Sequence, residues 1–496
     1  MAVYINDDFC CFWTTGFDNM NKDGLRRQID YYAEKGGVTA ILFNMNASRA
    51  FFDSKVWDPV WKDCSEEDEQ GRIFFHGREV TDISPEPPMK TMVRNAREMS
   101  RNVPDIFGFR YRYCHEKGVE MWHSMRMNDD HWAPNPELPQ HSSFWYEHPE
   151  FRRAAYRKPL SSIWSDQALD YLHPEVREHI FALIAEYLSH ECDGIELDFL
   201  RDIYLFRPGG AEQGRPLLTQ MMRDIRAEAD KAEKKFGHRV KIMVRVPAEP
   251  YDTLLNGLDF LTWAKEGLID IVSPSSNRLD VPYTIWRTLL PSNIELSADL
   301  EIGIRNGYPG GAMKSTRETD TGFAATFYYR GADSIHFFNH FSAPGCGYVK
   351  QDLQKEVFSY IGDRAKTEAR QRRHVATAQE RTLPGYGSGS LHSFYPLAWK
   401  GSGIYNEIDV GGGTDGRNGY VIIGSNTEIK NAEVKLNTVT CTKAELPSDW
   451  DFPKLNCFVC FRVPDNVLHD GLNGIDVINR SLEEDFELRW VELDVL

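Results

Sequence analysis

Along roughly the first 360 residues, short runs of apolar or β-branched side chains alternate with longer stretches whose apolar positions recur every three or four residues. The runs fall at 2–6, 38–43, 119–124, 194–199, 241–246, 269–273, 294–297 and 334–338. Several are preceded by an amphipathic stretch that closes on glycine, as at Gly36-Gly37, Gly118 and Gly331, where glycine serves as a helix C-cap before a buried strand. Eight strands alternating with helices predict an α/β fold, a (β/α)8 TIM barrel over residues 1–365. A doubly wound sheet is the alternative, but no glycine-rich phosphate loop follows the first run. The segments 44–118 and 125–192 exceed ordinary βα loops and are rich in Pro, Trp, His and Asp, so they are expected to build a pocket at the C-terminal face. From residue 366 the pattern changes. A basic stretch at 364–373 and glycine-rich turns such as 411–416 lead into runs at 420–424, 432–439, 458–463 and 486–496, the last alternating with period two. Residues 366–496 therefore read as a linker and a C-terminal β-sandwich.

A formal net charge of −17 opposes both nucleic acid and an anionic membrane surface, so neither is an expected partner, and an anionic small substrate would need arginines gathered locally. Nine cysteines are scattered, and Cys457-Phe-Val-Cys460 has no second pair to complete a zinc site, so reduced structural thiols are expected. The opening residues lack a basic segment followed by a long apolar one, and no run of 18 apolar residues occurs; a cytoplasmic location is the expectation. Twelve Trp and twenty-one Tyr supply flat faces suited to sugars, although core packing accounts for most of them.

The densest polar chemistry lies in residues 122–132, which end an apolar run with Arg126, Asn128, Asp129, Asp130, His131 and Trp132. A second run, 193–199, carries Glu196 and Asp198 two apart on a strand, so both point to one side while Ile195, Leu197 and Phe199 point to the other; Arg201 follows. In a barrel those acids face the lumen, where they act either in proton transfer or in fixing neighbouring cations. Arg126 and Arg201 have the fork geometry to grip a substrate carboxylate, or to pair with the same acids. Asp7 and Asp8 end the first strand, where a desolvated carboxyl can serve as a general acid or a cap can form. His131, oriented by Asp129 or Asp130, has the make-up of a base. Asn339 closes the last strand within reach of a sugar hydroxyl. A nucleophilic serine has no supporting motif, and a metal site from Glu196, Asp198, His123 and His336 lacks a ligand spacing to raise it above a minority reading. No cofactor is expected.

Through the acidic strand 193–198 and the loop Arg126-Met-Asn-Asp-Asp-His131, the chain resembles the family-10-like barrel glycoside hydrolases. Within that group it is most similar to glycoside hydrolase family 156, inverting exo-sialidases built as a barrel with a β-sandwich. The resemblance implies an acid and base pair on Asp8, with Asp7 the alternative, and on His131 with Asp130 beside it. It further implies contacts to the sugar and its carboxylate from Arg126, Arg201 and Asn339, and Asn128, Glu196 and Asp198 are expected to bind substrate beside them. The expected partner is a sialylated glycan, and a homodimer is allowed. Competing readings are a barrel hydrolase of an algal or plant glycan using Glu196 and Asp198, a metal-dependent sugar isomerase, and a non-catalytic glycan-binding protein.

Overall fold

The computed structural model describes all residues except 9–11, 17–19, 83–87, 132–134, 136, 155, 157–163, 201–202, 276–280, 305–312, 342–349, 377–396, 400 and 449. Eight parallel strands close into a barrel. In chain order they are β1 (Val3–Asp7), β2 (Ala40–Asn44), β3 (Glu120–Arg126), β4 (Gly194–Asp198), β5 (Lys241–Pro247), β6 (Ile271–Ser275), β7 (Glu295–Glu301) and β8 (Ser334–Phe338). Each pairs with its sequence neighbours, and β1 pairs with β8 to shut the ring. All eight predicted runs are therefore barrel strands. Among the helices packed outside are α1 (Lys22–Ala33), α2 (Ile106–Glu116), α3 (Pro174–Ser189), α4 (Ala211–Phe236) and α5 (Arg317–Tyr329). Among the described residues no helix is long and apolar enough to cross a membrane.

Strand parity divides every barrel strand into an outer apolar set and an inner set. On β3, Met121 and Met125 join the main core under the helices, while Trp122 joins a small separate cluster inside the barrel with Tyr4, Ala40, Leu42, Met243 and Ile271. This apolar plug fills the N-terminal end of the lumen. Gly194 makes room for it, because a Cβ there would lie 2.5 Å from the Trp122 ring. Above the plug the inward side chains turn polar, and the upper lumen carries the chemistry.

The C-terminal part is a β-sandwich. One sheet contains β9 (Arg372–Val375), β11 (Gly419–Ser425), β13 (Cys457–Arg462) and β15 (Trp490–Val495), with residues 442–444 at its edge. The facing sheet contains β10 (Gly403–Asp409), β12 (Ala432–Leu436) and β14 (Leu472–Asn479). Val421, Ile423, Phe461, Leu493 and Val495 from the first meet Val434, Leu436, Ile475 and Val477 from the second in one core. The basic stretch expected to be linker instead forms a short helix, Arg364–Glu368, and strand β9. Arg372 and Arg373 within it are fully buried: Arg373 pairs with Glu492 at 2.8 Å, and Arg372 donates to the carbonyls of Val410 and Gly412. Glu492, the partner of Arg373, is 119 residues away and so invisible in the local sequence. The six described cysteines, Cys457 and Cys460 included, are free thiols.

Candidate active site

Two tiers of polar side chains fill the lumen above the apolar plug. In the lower tier Glu196 is fully buried and accepts hydrogen bonds from Asn6 Nδ2 (2.5 Å) and Ser124 Oγ (2.6 Å). Strands β1 and β4 are not neighbours in the sheet, so the Asn6 bond crosses the lumen. His336 Nε2 lies 3.3 Å from Glu196 Oε1, and its Nδ1 lies 3.1 Å from both Asp299 Oδ1 and Ser273 Oγ. Burial alone would strip the proton from this imidazole, but Glu196 and Asp299 outweigh it and raise the His336 pKa. Burial raises Glu196 against the opposing pull of His336, whereas Asp299, also buried, is brought below its ordinary value by Arg245 and His336. Arg245 ties this tier to the next. Its Nη1 donates to Asp198 at 3.1 Å and its Nη2 to Ser275 at 2.7 Å, while its guanidinium sits 3.5 Å from the Phe338 ring centroid. Glu196 and Asp198, expected to touch substrate, are thus engaged in holding the barrel's own cations.

The upper tier is built from the ends of β1 and β3. Arg126 Nη2 donates to Asp8 Oδ2 at 2.6 Å, and Nη1 donates to Asp129, the two ion pairs being buried. Asp129 also accepts from the backbone N–H of His131 at 3.1 Å, and its Oδ1 lies 3.3 Å from His131 Nδ1. Burial would raise the Asp129 carboxyl, yet His131 and Arg126 together hold it well below the usual carboxylate range. The imidazole of His131 is 37% exposed, the open member of the series. The result is a continuous ionic chain: Asp8, Arg126, Asp129, His131.

The turn that presents this chain is pinned by backbone contacts. Asn46 Oδ1 accepts from Arg126 N at 3.3 Å while its Nδ2 donates to Arg126 O at 3.2 Å. Ser48 Oγ donates to Asp129 O at 3.0 Å, Tyr171 to Met127 O and Gln140 to His131 O. Such backbone support fixes the turn and the side chains it presents.

Several expectations are altered by this geometry. The carboxylate paired with the His131 ring is Asp129; Asp130 is buried at the same turn. Asn128 is a tie between loops, its amide donating to the carbonyls of Leu169 (2.9 Å) and Tyr204 (3.1 Å) and its carbonyl accepting from Leu169 N (3.2 Å), which leaves both donor hydrogens engaged. Asn339 stands just past β8 at φ 61°, a left-handed backbone that Asn tolerates, and donates to both oxygens of Glu301 at 2.8 and 3.0 Å. Arg201 and Trp132 lie outside the described residues. The minority metal set is not assembled, because His123 faces the helix layer, stacked on Tyr187 and edge-on to Phe107, opposite in parity to the lumen acids. Burial holds that ring's pKa well below the ordinary imidazole value. Among the described residues no group of three or more His, Cys, Asp or Glu side chains is arranged to hold a metal ion.

The two aspartates of the first strand are separated by parity. Asp8 continues the inward series of Tyr4 and Asn6, whereas Asp7 faces outward to Tyr32 and Gln28 of α1 and to Arg110 of α2. Burial raises Asp7 to about 6, against the pull of those partners. Asp8 is the aspartate of the mouth. Sequence reasoning passed over Arg245, Asp299, Asn6 and Ser124. Each has the inward parity of its strand, which is the signal that would have found them.

No protein-family model and no curated protein matches the chain. Solved structures do. A family-36 α-galactosidase from Geobacillus stearothermophilus is 11% identical with a TM-score of 0.40, over 96% of this chain and 55% of that one. The chitinase ChiW from a Paenibacillus species is 10% identical with a TM-score of 0.41, over 98% of this chain and 53% of that one. An α-L-fucosidase from Lactobacillus casei, in complex with α-L-fucose, is 11% identical with a TM-score of 0.37, over 74% and 96%. This chain thus spans about half the length of the first two. At such scores the likeness carries no argument about activity, and the barrel stands on its own strand order.

Proposed function

We propose that this chain is a glycoside hydrolase, an exo-sialidase that releases terminal sialic acid with inversion at the anomeric carbon. The observation that carries the reading is the ionic chain at the barrel mouth, in which a carboxyl and a carboxylate-oriented imidazole flank one buried guanidinium. A cation fixed between two proton-transferring groups suits a sugar that bears its own carboxylate, and it lets a protein of net charge −17 bind an anion. In this reading Arg126, with Arg201 as the resemblance implies, grips the sialate carboxylate. Asp8 in its protonated form gives its proton to the glycosidic oxygen as the bond breaks through an oxocarbenium-like state. His131, its Nδ1 facing Asp129, takes a proton from the water that attacks the opposite face of the ring. Asn339 and Glu301 together offer hydrogen-bonding groups at the rim above β7 and β8.

The test is proton NMR of the protein with a sialyl-lactose. Free sialic acid appearing first as the β-anomer, before mutarotation, is the expected result. The α-anomer first would mean retention and overturn the assignment of Asp8 and His131. No release would overturn the sialidase reading itself.

A further inference from the structure

A cavity of about 780 Å³ lies in the helix layer, bounded by residues 51–56, by the turn that leads into α2, and by α3 with His190 just past its end. Among the described residues none of the inward strand positions lines it, so it is separate from the lumen. Its volume is that of a small-molecule pocket, about 300–1,000 Å³. The walls are apolar, built from Phe52, Val103, Phe107, Phe181 and Ala185, with the Phe52 and Phe107 rings edge to face at 4.8 Å. Two of these walls are tied to each other. Ser54 Oγ and the backbone N–H of Lys55 both donate to Glu186 of α3, at 2.5 and 2.7 Å, and Trp57 Nε1 donates to the carbonyl of His179 at 2.8 Å. The protein's own bonds therefore set the shape of the cavity, and an occupant has little loop ordering to offset.

The polar groups around the cavity decide what it accepts. Asp53 pairs with Lys55 at 2.9 Å, and Asp105 caps α2 through the N–H of Gly108 at 3.0 Å and lies 3.3 Å from Arg112. Glu186 is held as described, and Glu178 stands exposed at the rim, where water screens it. An anion would thus meet four carboxylates and no cation that is not already engaged, while a cation would have to break pairs to gain one. His190 is different. Its half-buried ring is tilted over Phe107 at 4.8 Å, and among the described residues neither ring nitrogen makes a hydrogen bond. Burial lowers its pKa against the pull of Glu186 and Asp105, so at neutral pH the ring offers one donor and one acceptor without a charge. What the cavity leaves unmatched is aromatic surface and one neutral imidazole.

We propose that this cavity is a second binding site, distinct from the mouth, for an uncharged aromatic molecule that carries one hydroxyl, the phenol class. The aromatic ring lies among Phe52, Phe107 and Phe181, where ring contacts add to the burial of apolar surface. The hydroxyl bonds to His190 and is thereby spared the cost of an unpaired polar group in an apolar wall. The site asks nothing of the reaction at the mouth and stands whether or not the sialidase reading does.

The experiment is isothermal titration calorimetry of the full chain at pH 7 with 4-propylphenol, together with amide hydrogen exchange of the same mixture. The expected result is saturable binding of one molecule per chain, with exchange slowed at 51–56, 103–107 and 181–190. 4-Propylbenzoate, the same ring bearing an anion, should bind about tenfold more weakly or worse. His190→Phe keeps an aromatic ring at that wall and removes the hydrogen bond, so it should weaken the phenol by about three- to tenfold and leave propylbenzene unchanged. Ala185→Trp, which fills the cavity, should abolish binding; the exchange pattern of the wild-type protein locates the site independently of whether that variant folds. No binding, equal binding of the benzoate, an unchanged phenol affinity in His190→Phe, or protection confined to other segments would each overturn the proposal.

Discussion

Asp7 and Asp8 are adjacent in the chain yet belong to different machines, one to the helix layer and one to the mouth. The raised pKa of Asp7, from 3.8 to about 6, has a definite consequence for stability. A carboxyl that holds its proton more tightly folded than unfolded stabilises the fold fully below about pH 3.8, and the contribution is lost as pH rises through about 6. The shift corresponds to about 3 kcal/mol. Urea unfolding at several pH values should therefore show the stability of the wild-type protein relative to Asp7→Asn falling by about that amount between pH 4 and 6.5; a flat difference would contradict the buried placement. His131 tests the other end. Its ring is partly open to solvent, so His131→Ala should lower kcat on a sialoside by about 10²- to 10⁴-fold while the unfolding free energy changes by less than about 1 kcal/mol. Near-normal turnover would remove His131 from the role of base. At this scale the sequence reveals residue types and parity, which suffices to place Asp8, Arg126 and Glu196 inside. It does not reveal which carboxylate meets which cation: Asp129, not Asp130, faces the imidazole through the turn's geometry, and Arg245 reaches Asp198 from the adjoining strand.

Among the elements, the barrel strands were legible because each is buried on both faces and so reads as a nearly unbroken apolar run. Strands β10 and β14 were not, since the polar runs Tyr405-Asn406-Glu407 and Asn473-Gly474 interrupt their apolar positions and resemble an ordinary polar loop. The run expected over 432–439 stops at Leu436 because Asn437 and Thr438 adopt positive φ values of 49° and 73° and turn the chain. Helix α5 and strand β9 join the two halves of the molecule at one close approach. A Cβ on Gly322 would lie 2.1 Å from the backbone carbonyl oxygen of Arg373, so neither element can yield by moving a side chain. Overpacking typically costs about 1–3 kcal/mol, and here the obstacle is backbone. Gly322→Ala should reduce the unfolding free energy by about 3 kcal/mol, measured by urea denaturation, with kcat per folded molecule unchanged because Gly322 faces Arg373 of the sandwich and not the lumen.

Taken whole, the molecule is a barrel whose helix layer is covered on one side by a β-sandwich. Thr326 of α5 and Arg330 at its C-cap bind the carbonyl and carboxylate of Asp409 on β10, each at 2.8 Å, and Thr326 also meets His374 on β9 at 3.1 Å. The sandwich therefore completes the burial of α5, a dependence that composition alone did not disclose. The overall charge of −17 is offset in the lumen by Arg126, matched to Asp8 past β1 and Asp129 in its own turn, and by Arg245 and His336, matched to Asp198 and Asp299 on adjacent strands, so the mouth is ionic without being uniformly negative. The seam of the barrel has a further consequence, one of folding kinetics. Every other strand pairing in the ring joins sequence neighbours, but Val3 pairs with Ile335 across 332 residues (335 − 3), and closing so long a loop is the entropically costly step. The aspartate of the mouth rides directly behind that strand. A chain with the other strands assembled would already hold its arginine and histidine, show near-native secondary structure, and still be inert, so catalysis is a reporter of ring closure itself.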